Sequence, residues 1–252
     1  MPHRTVAIET LDGRCPTHVM TPDGEGPWPA VIVFMDGIGM RPAIEEIGAR
    51  LASEGYFTLV PNLFYRIEFT ALDPATAFSD PVTRADLMQR VIPSASPANV
   101  TRDSQAFLRW LDAQPEVLHG PIGLVGYCMG GRLALYVAGQ LGERIAAVAS
   151  YHGSGLATDA PDSPHRFVDN IRGRVYVAGA IEDKGFDDAQ KARLEQALTD
   201  AGVDHVVTTY PARHGWVPRD TPVHDAAQTA RHWSTLLELF GETLGGGRAV
   251  PR

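Results

Sequence analysis

The stretch most able to do chemistry runs Gly123-Leu-Val-Gly-Tyr-Cys128-Met-Gly-Gly-Arg132. A short apolar strand pattern passes directly into a helical one, with glycine two residues before and two residues after a cysteine. A turn sharp enough to raise a nucleophile above a sheet brings backbone close at those two positions, where a side chain would collide. The pattern is that of a G-x-S-x-G nucleophile elbow carrying a thiol in place of a hydroxyl. Cys128 would then stand at a helix N-terminus, where the dipole favours a thiolate. The N–H of Met129 would be free to meet a developing oxyanion. The competing role is an inert buried cysteine in an ordinary glycine-rich turn.

Such a nucleophile needs an acid and then a histidine, in that chain order. After a strand at 174–180 comes Ile181-Glu182-Asp183-Lys184, with Asp183 placed 55 residues beyond Cys128. Asp183 is the candidate acid; Glu182 and Asp187 are the alternatives, and capping of the next helix is the structural role that competes. After a strand at 205–210 comes Pro211-Ala-Arg-His214-Gly-Trp216, 31 residues further on. Of the 9 histidines, His119 and His205 fall at strand starts, His224 and His232 belong to the last helix, and His3 and His165 lie outside the pattern. His152 is at the correct sheet end but precedes the acid, so it is expected to line the site or bond backbone. His214 is the candidate base.

The elements that must position these residues alternate. The first 21 residues read as a hairpin around Asp12-Gly13. Ala30–Met35 is a continuous apolar run, as for a strand buried on both faces. A helix follows from Pro42 to Gly55, then a strand at 56–60. Residues 66–97 hold four prolines and a short helix at 83–91, and read as an insertion over a sheet edge. Helices at 98–113, 129–141, 187–201 and 225–240 alternate with strands at 123–126, 145–150, 174–180 and 205–210. This is an α/β chain with right-handed crossovers and a mainly parallel sheet flanked by helices, one domain over 1–244 with a disordered tail at 245–252. Sites in such sheets gather at the carboxyl ends of strands, so the loops at Asp36, Cys128, His152, Asp183 and His214 converge. Phe64, Tyr65, Trp216 and the 66–97 insertion should form one apolar wall there, packing of Trp216 in the core being the competing role, with Tyr127 and His152 beside the elbow.

Composition narrows the function classes. The 252 residues are 44% hydrophobic and 21% charged, which excludes a disordered chain or a coiled coil. Two cysteines cannot build a disulfide scaffold or a four-cysteine zinc site. A net charge of −8 without a Lys/Arg run argues against nucleic acid and anionic membrane as partners. No secretory signal or membrane-spanning run is read, so cytoplasm is the expected location. No H-x-x-x-H or H-E-x-x-H pair suggests a metal. A G-x-C-x-G elbow also occurs in glutamine amidotransferases, but their acid two residues after the histidine is absent: Trp216 stands there. A hydrolase fold kept only for binding is the non-enzymatic reading.

Taken together, Gly-Tyr-Cys128-Met-Gly-Gly, Asp183 and His214 resemble the dienelactone hydrolase family over about residues 5–240. The resemblance implies an eight-stranded α/β-hydrolase core without a cofactor, acting on a small ester or lactone through a thioester, as a monomer or small homo-oligomer. Cys128 would attack, His214 would act as base and then acid, and Asp183 would orient His214. The oxyanion hole would use the N–H groups of Met129 and Gly37. Family members place a Glu after the first buried strand to hold the thiol in check. Asp36 stands there in Phe34-Met-Asp36-Gly37, so a thiol-gating Asp36 is expected. The family's Pro-Asp-Leu-Tyr-x-Arg reads Pro61-Asn-Leu-Phe-Tyr65-Arg66 here. Arg66, Arg84, Arg213 and Arg219 are candidates to hold a substrate carboxylate. A carboxylesterase of broader specificity on the same three residues is the alternative.

Overall fold

The computed structural model describes residues 2–245; the expected disorder of the tail falls on residues 246–252, outside them. In chain order the elements are β1 (His3–Thr10), β2 (Gly13–Met20), β3 (Ala30–Phe34), α1 (Pro42–Ser53) and β4 (Phe57–Pro61). Next come α2 (Pro81–Asp86), a π-helical turn (Leu87–Val91), α3 (Ile92–Ser94), α4 (Pro97–Asp112), β5 (Ile122–Tyr127) and α5 (Met129–Leu141). The chain finishes with β6 (Ile145–Tyr151), a 3-10 segment (Pro164–Asn170), β7 (Arg174–Gly179), α6 (Asp188–Asp200), β8 (His205–Thr209) and α7 (Ala226–Leu244). Eight strands form one sheet in the order β1-β2-β4-β3-β5-β6-β7-β8. Only the β1–β2 and β2–β4 pairs are antiparallel. This is the mainly parallel sheet that the alternating pattern predicts and the eight-stranded α/β-hydrolase core that the family resemblance implies.

The central strands follow from their apolar runs. Every residue of β3, β4 and β5 is buried, because helices cover both faces. Several helices start on a recognisable signal. Pro42 occupies the first turn of α1, where its missing N–H costs nothing. Ser96, Asp187 and Asp225 cap α4, α6 and α7 by accepting the N–H of Asn99, Gln190 and Gln228. The Asp187 role settles one alternative: its carboxylate is a helix cap.

The 66–97 segment follows β4, which lies between β2 and β3, and packs on the loop after β3. Leu72 donates its N–H to Ile38 O at 3.2 Å, and a Cβ on Gly39 would meet Phe69 at 2.9 Å and Ala71 at 3.2 Å. Its anchors Ala77, Leu87, Val91 and Ala95 are buried in the core.

Two residues expected in the pocket are structural instead. Asp103 of α4 is 1% exposed, and Arg66 grips both its oxygens at 2.7 and 2.8 Å. Arg66 also bonds Asp12 at the hairpin turn, at 2.7 and 2.9 Å. The Tyr65 hydroxyl sits between Thr10 (2.7 Å) and Asp103 (2.9 Å). A buried carboxylate needs this much compensation. The expectation of Tyr65 and Arg66 in a substrate wall is corrected: they clasp the N-terminal hairpin to α4. Phe64 is fully buried against Phe69, ring centroids 5.2 Å apart, so it too is core.

Candidate active site

The strand register delivers the candidate residues to one edge. Phe34 pairs with Gly126, Tyr127 with Tyr151, Tyr151 with Ala178, and Gly179 with Thr209. The residues just beyond, from Asp36, Cys128, His152, Asp183 and His214, therefore leave the sheet on the same side. Among the described residues, three non-glycine residues have positive φ, namely Cys128 (53°), His152 (41°) and Glu182 (54°). All three stand just past strands of this edge. Side chains other than glycine adopt that region only where the surroundings compel it, and such residues cluster at functional sites.

The elbow explains its glycines. A Cβ on Gly126 would lie 2.0 Å from Gly130 O, and one on Gly130 would lie 2.3 Å from Phe34 O. Neither collision can be relieved by a side-chain rotation, because the atoms struck are backbone. Cys128 itself is partly exposed. Met129 opens α5 and has no carbonyl one turn back to pair with. A Cβ on Gly37 would be 4.0 Å from Met129 Cβ and 3.2 Å from Ile92 Cδ1, so the loop after β3, the elbow and the inserted segment meet at one place.

His214 Nδ1 lies 2.8 Å from Asp183 Oδ2, and the other Asp183 oxygen accepts the Gly185 N–H at 2.8 Å. Glu182 has no part in this pair. Burial opposes charge on His214 most strongly. The neighbouring Cys128 sulfur and the Asp183 carboxylate, with hydrogen bonds to both, outweigh it and push the imidazole up to about 10. Asp183 is drawn below the usual carboxylate value: burial raises it, but the His214 bond prevails.

His152 is fully buried, and burial together with His214 and His232 holds its imidazole well below its ordinary value. It is thus neutral, and its Nδ1 accepts the Cys128 N–H at 3.1 Å. Its ring meets His214 and Trp216 edge-on at centroid distances of 5.2 and 4.8 Å. Trp216 is 0% exposed and stacks on Tyr210, so it buttresses the histidines from the core instead of forming a solvent-facing wall. Tyr127 is likewise buried, its hydroxyl 2.9 Å from His232 Nε2. Both lie behind the site.

Asp36 departs most from expectation. It is 4% exposed, and Arg41 holds its two oxygens at 2.7 and 2.8 Å. One oxygen also accepts the Ile38 N–H at 3.0 Å. The free carboxylate on which thiol gating depends is absent; its charge is paired. Arg41 and its second partner Asp220 were not anticipated, since an arginine before a Pro-initiated helix carries no sequence mark of its own. Among the described residues, His3, His18 and Glu45 form the one group of three metal-capable side chains within 4.8 Å. They lie on β1, β2 and α1, not on the strand-end loops.

Residues 15–244 match the profile of the dienelactone hydrolase family. The chain belongs to that family. A Synechocystis sp. protein provisionally named a carboxymethylenebutenolidase is 28% identical over 245 residues, covering 95% of this chain and 96% of its own. The carboxymethylenebutenolidase of Pseudomonas putida is 29% identical over 179 residues, 69% of this chain and 72% of that one. In structure, a protein of Klebsiella pneumoniae assigned to dienelactone hydrolase superposes with a TM-score of 0.83 at 19% identity, over 96% of this chain and 98% of that one. A dienelactone hydrolase-like promiscuous phosphotriesterase from metagenomic libraries gives 0.75 at 25% identity, over 97% and 100%. The chain is accordingly a dienelactone hydrolase-like hydrolase, with a small molecule as its substrate. Among the described residues, no helix is long and apolar enough to cross a membrane.

Proposed function

We propose that the protein hydrolyses a small ester or lactone through a thioester on Cys128. The observation that carries this reading is His214, held at Nδ1 by Asp183 at 2.8 Å and packed edge-on against His152, which accepts the Cys128 N–H of the elbow. His214, raised to about 10 beside the sulfur, already holds the proton the thiol gives up, and the sulfur adds to the substrate carbonyl. The N–H groups of Met129 and Gly37 receive the oxyanion. Collapse breaks the C–O bond, and His214 returns its proton to the leaving alkoxide. A water then gives a proton to His214 and its oxygen to the thioester carbonyl. The C–S bond breaks, the carboxylic acid forms and the proton stays on His214 beside the freed sulfur. With a lactone the alkoxide stays tethered, so one hydroxy acid is the product. His152 fixes the strained backbone of Cys128 throughout.

The strained φ of Cys128 supports an enzyme over a binding module, since a binder has no need to hold a thiol there. Ile92 and Met129 border the oxyanion site and give the acyl group an apolar boundary. Arg66 and Arg41 are committed to internal carboxylates. That favours the broader carboxylesterase version of the reading over one in which either arginine receives a substrate carboxylate. Both cysteines are free thiols, which suits the reducing cytoplasm.

Limiting iodoacetamide should test the assignment. Cys15 is buried, and burial pushes its thiol up to about 12, so it should stay unlabelled while Cys128 is alkylated and aryl-ester turnover falls in step. Activity lost in parallel with labelling of Cys15 would sink the assignment.

A further inference from the structure

Arg41 is 6% exposed and is shared between two loops that sequence separates widely. On one side it grips Asp36 with two bonds and donates to Gly39 O at 3.1 Å. On the other its Nε and Nη2 reach Asp220 at 2.7 and 3.2 Å. The first loop carries Gly37, which adjoins Met129. The second carries His214. It is braced internally, with Thr221 Oγ1 donating to Gly215 O at 2.8 Å and Asp225 N to Trp216 O at 3.1 Å. A displacement of Asp220 is therefore passed to the residues next to His214.

We infer that Arg41 is a positioning residue: it splices the oxyanion loop to the histidine loop, and it neutralises Asp36 so that the thiol stands ungated. This rests on the proposed role of Cys128. Pairing both Asp36 oxygens removes the lone carboxylate that would otherwise oppose a thiolate, as two like charges do. The bidentate fork toward two carboxylates needs a guanidinium; a lysine could not supply it. The charged and titratable groups on the loops that meet at the elbow are His214 backed by Asp183, neutral His152 on the Cys128 N–H, and Asp36 with Arg41 and Asp220.

The test follows p-nitrophenyl acetate turnover and the pH profile of iodoacetamide alkylation in four variants. Arg41→Met leaves Asp36 unpaired and cuts the splice. Its alkylation midpoint should rise by about one pH unit, and kcat should fall roughly tenfold with little change in KM. In Asp36→Asn/Arg41→Met the midpoint should return to the wild-type position while kcat stays low. Asp220→Ala should lower kcat without moving the midpoint. A wild-type profile and kcat in Arg41→Met, or a shifted midpoint that persists in the double variant, overturns the inference. Should Arg41→Met not fold, a reduced kcat in Asp220→Ala upholds the splice and a wild-type kcat overturns it. Cys128→Ala separates the two failures: turnover that survives it defeats the reading of the site, whatever Arg41 does.

Discussion

Replacing Cys128 by alanine should lower kcat for an aryl ester by about a thousandfold or more, with the melting temperature almost unchanged. The expected size comes from losing the covalent route. Without the sulfur, what remains is binding and the oxyanion donors, and those alone retain only a minor part of the acceleration of a nucleophile–histidine–acid site. Stability should hold because Cys128 is partly exposed and the side chain removed is small. The elbow geometry depends on Gly126, Gly130 and the His152 bond to the Cys128 backbone N–H, all of which survive. Serine at the same position should recover little, because a hydroxyl holds its proton far more tightly than a thiol. Steady-state kinetics and a thermal melt on the three proteins check this. A Cys128→Ala variant with kcat within tenfold of wild type would contradict it.

Asp183→Asn should lower kcat by roughly a hundredfold to ten-thousandfold while KM changes little. Asp183 Oδ2 holds His214 at Nδ1, which turns Nε2 toward the proton exchanged with substrate and sulfur. An amide can instead present its NH₂ and select the wrong tautomer. It also withdraws the charge that helps raise His214 to about 10. The sign of the stability change follows. A histidine raised above its ordinary 6.5 contributes stability that is complete below pH 6.5 and is lost as pH climbs through about 10. Asp183, lowered below 3.8, contributes stability above that value and loses it as pH falls through its folded value. In Asp183→Asn both limbs should flatten, and most of the loss should be measured near neutrality. Melting temperatures from pH 3 to 10 read this out. Identical profiles for variant and wild type would show that the Asp183–His214 bond does not matter in solution.

Much of the frame was legible because its signals are local. The apolar run at 30–35, Pro42 and the glycines about Cys128 each act within a few residues. Helix α5 falls on Met129–Leu141, as the pattern predicts. The pairing of Asp183 with His214 was reachable from chain order and strand spacing, although only the structure excludes Asp187, which caps α6. What the sequence could not show were ion pairs between distant segments. Nothing near residue 41 says that its guanidinium will meet Asp220, 179 residues away. Nothing near residue 66 says that Asp103 will absorb that arginine. Both errors about polar residues have this origin. A charged residue at a strand end reads as free until its partner, supplied by tertiary folding, is known. The aromatic errors at Phe64 and Trp216 share a different cause. Position along a strand edge is visible in sequence, but which side of that edge is sealed by α7 and the insertion is not.

The central claim is a covalent acyl group on Cys128, and acid-quenched turnover tests it most directly. The enzyme would be mixed with excess p-nitrophenyl acetate, stopped in acid within the burst, digested and mapped by mass spectrometry. The account predicts acetyl on the peptide containing Cys128, at an occupancy matching the p-nitrophenol burst, removable by hydroxylamine and absent from Cys128→Ala. Acetyl accumulating on another side chain with the same kinetics, in a protein whose Cys128→Ala variant still shows the burst, would contradict it.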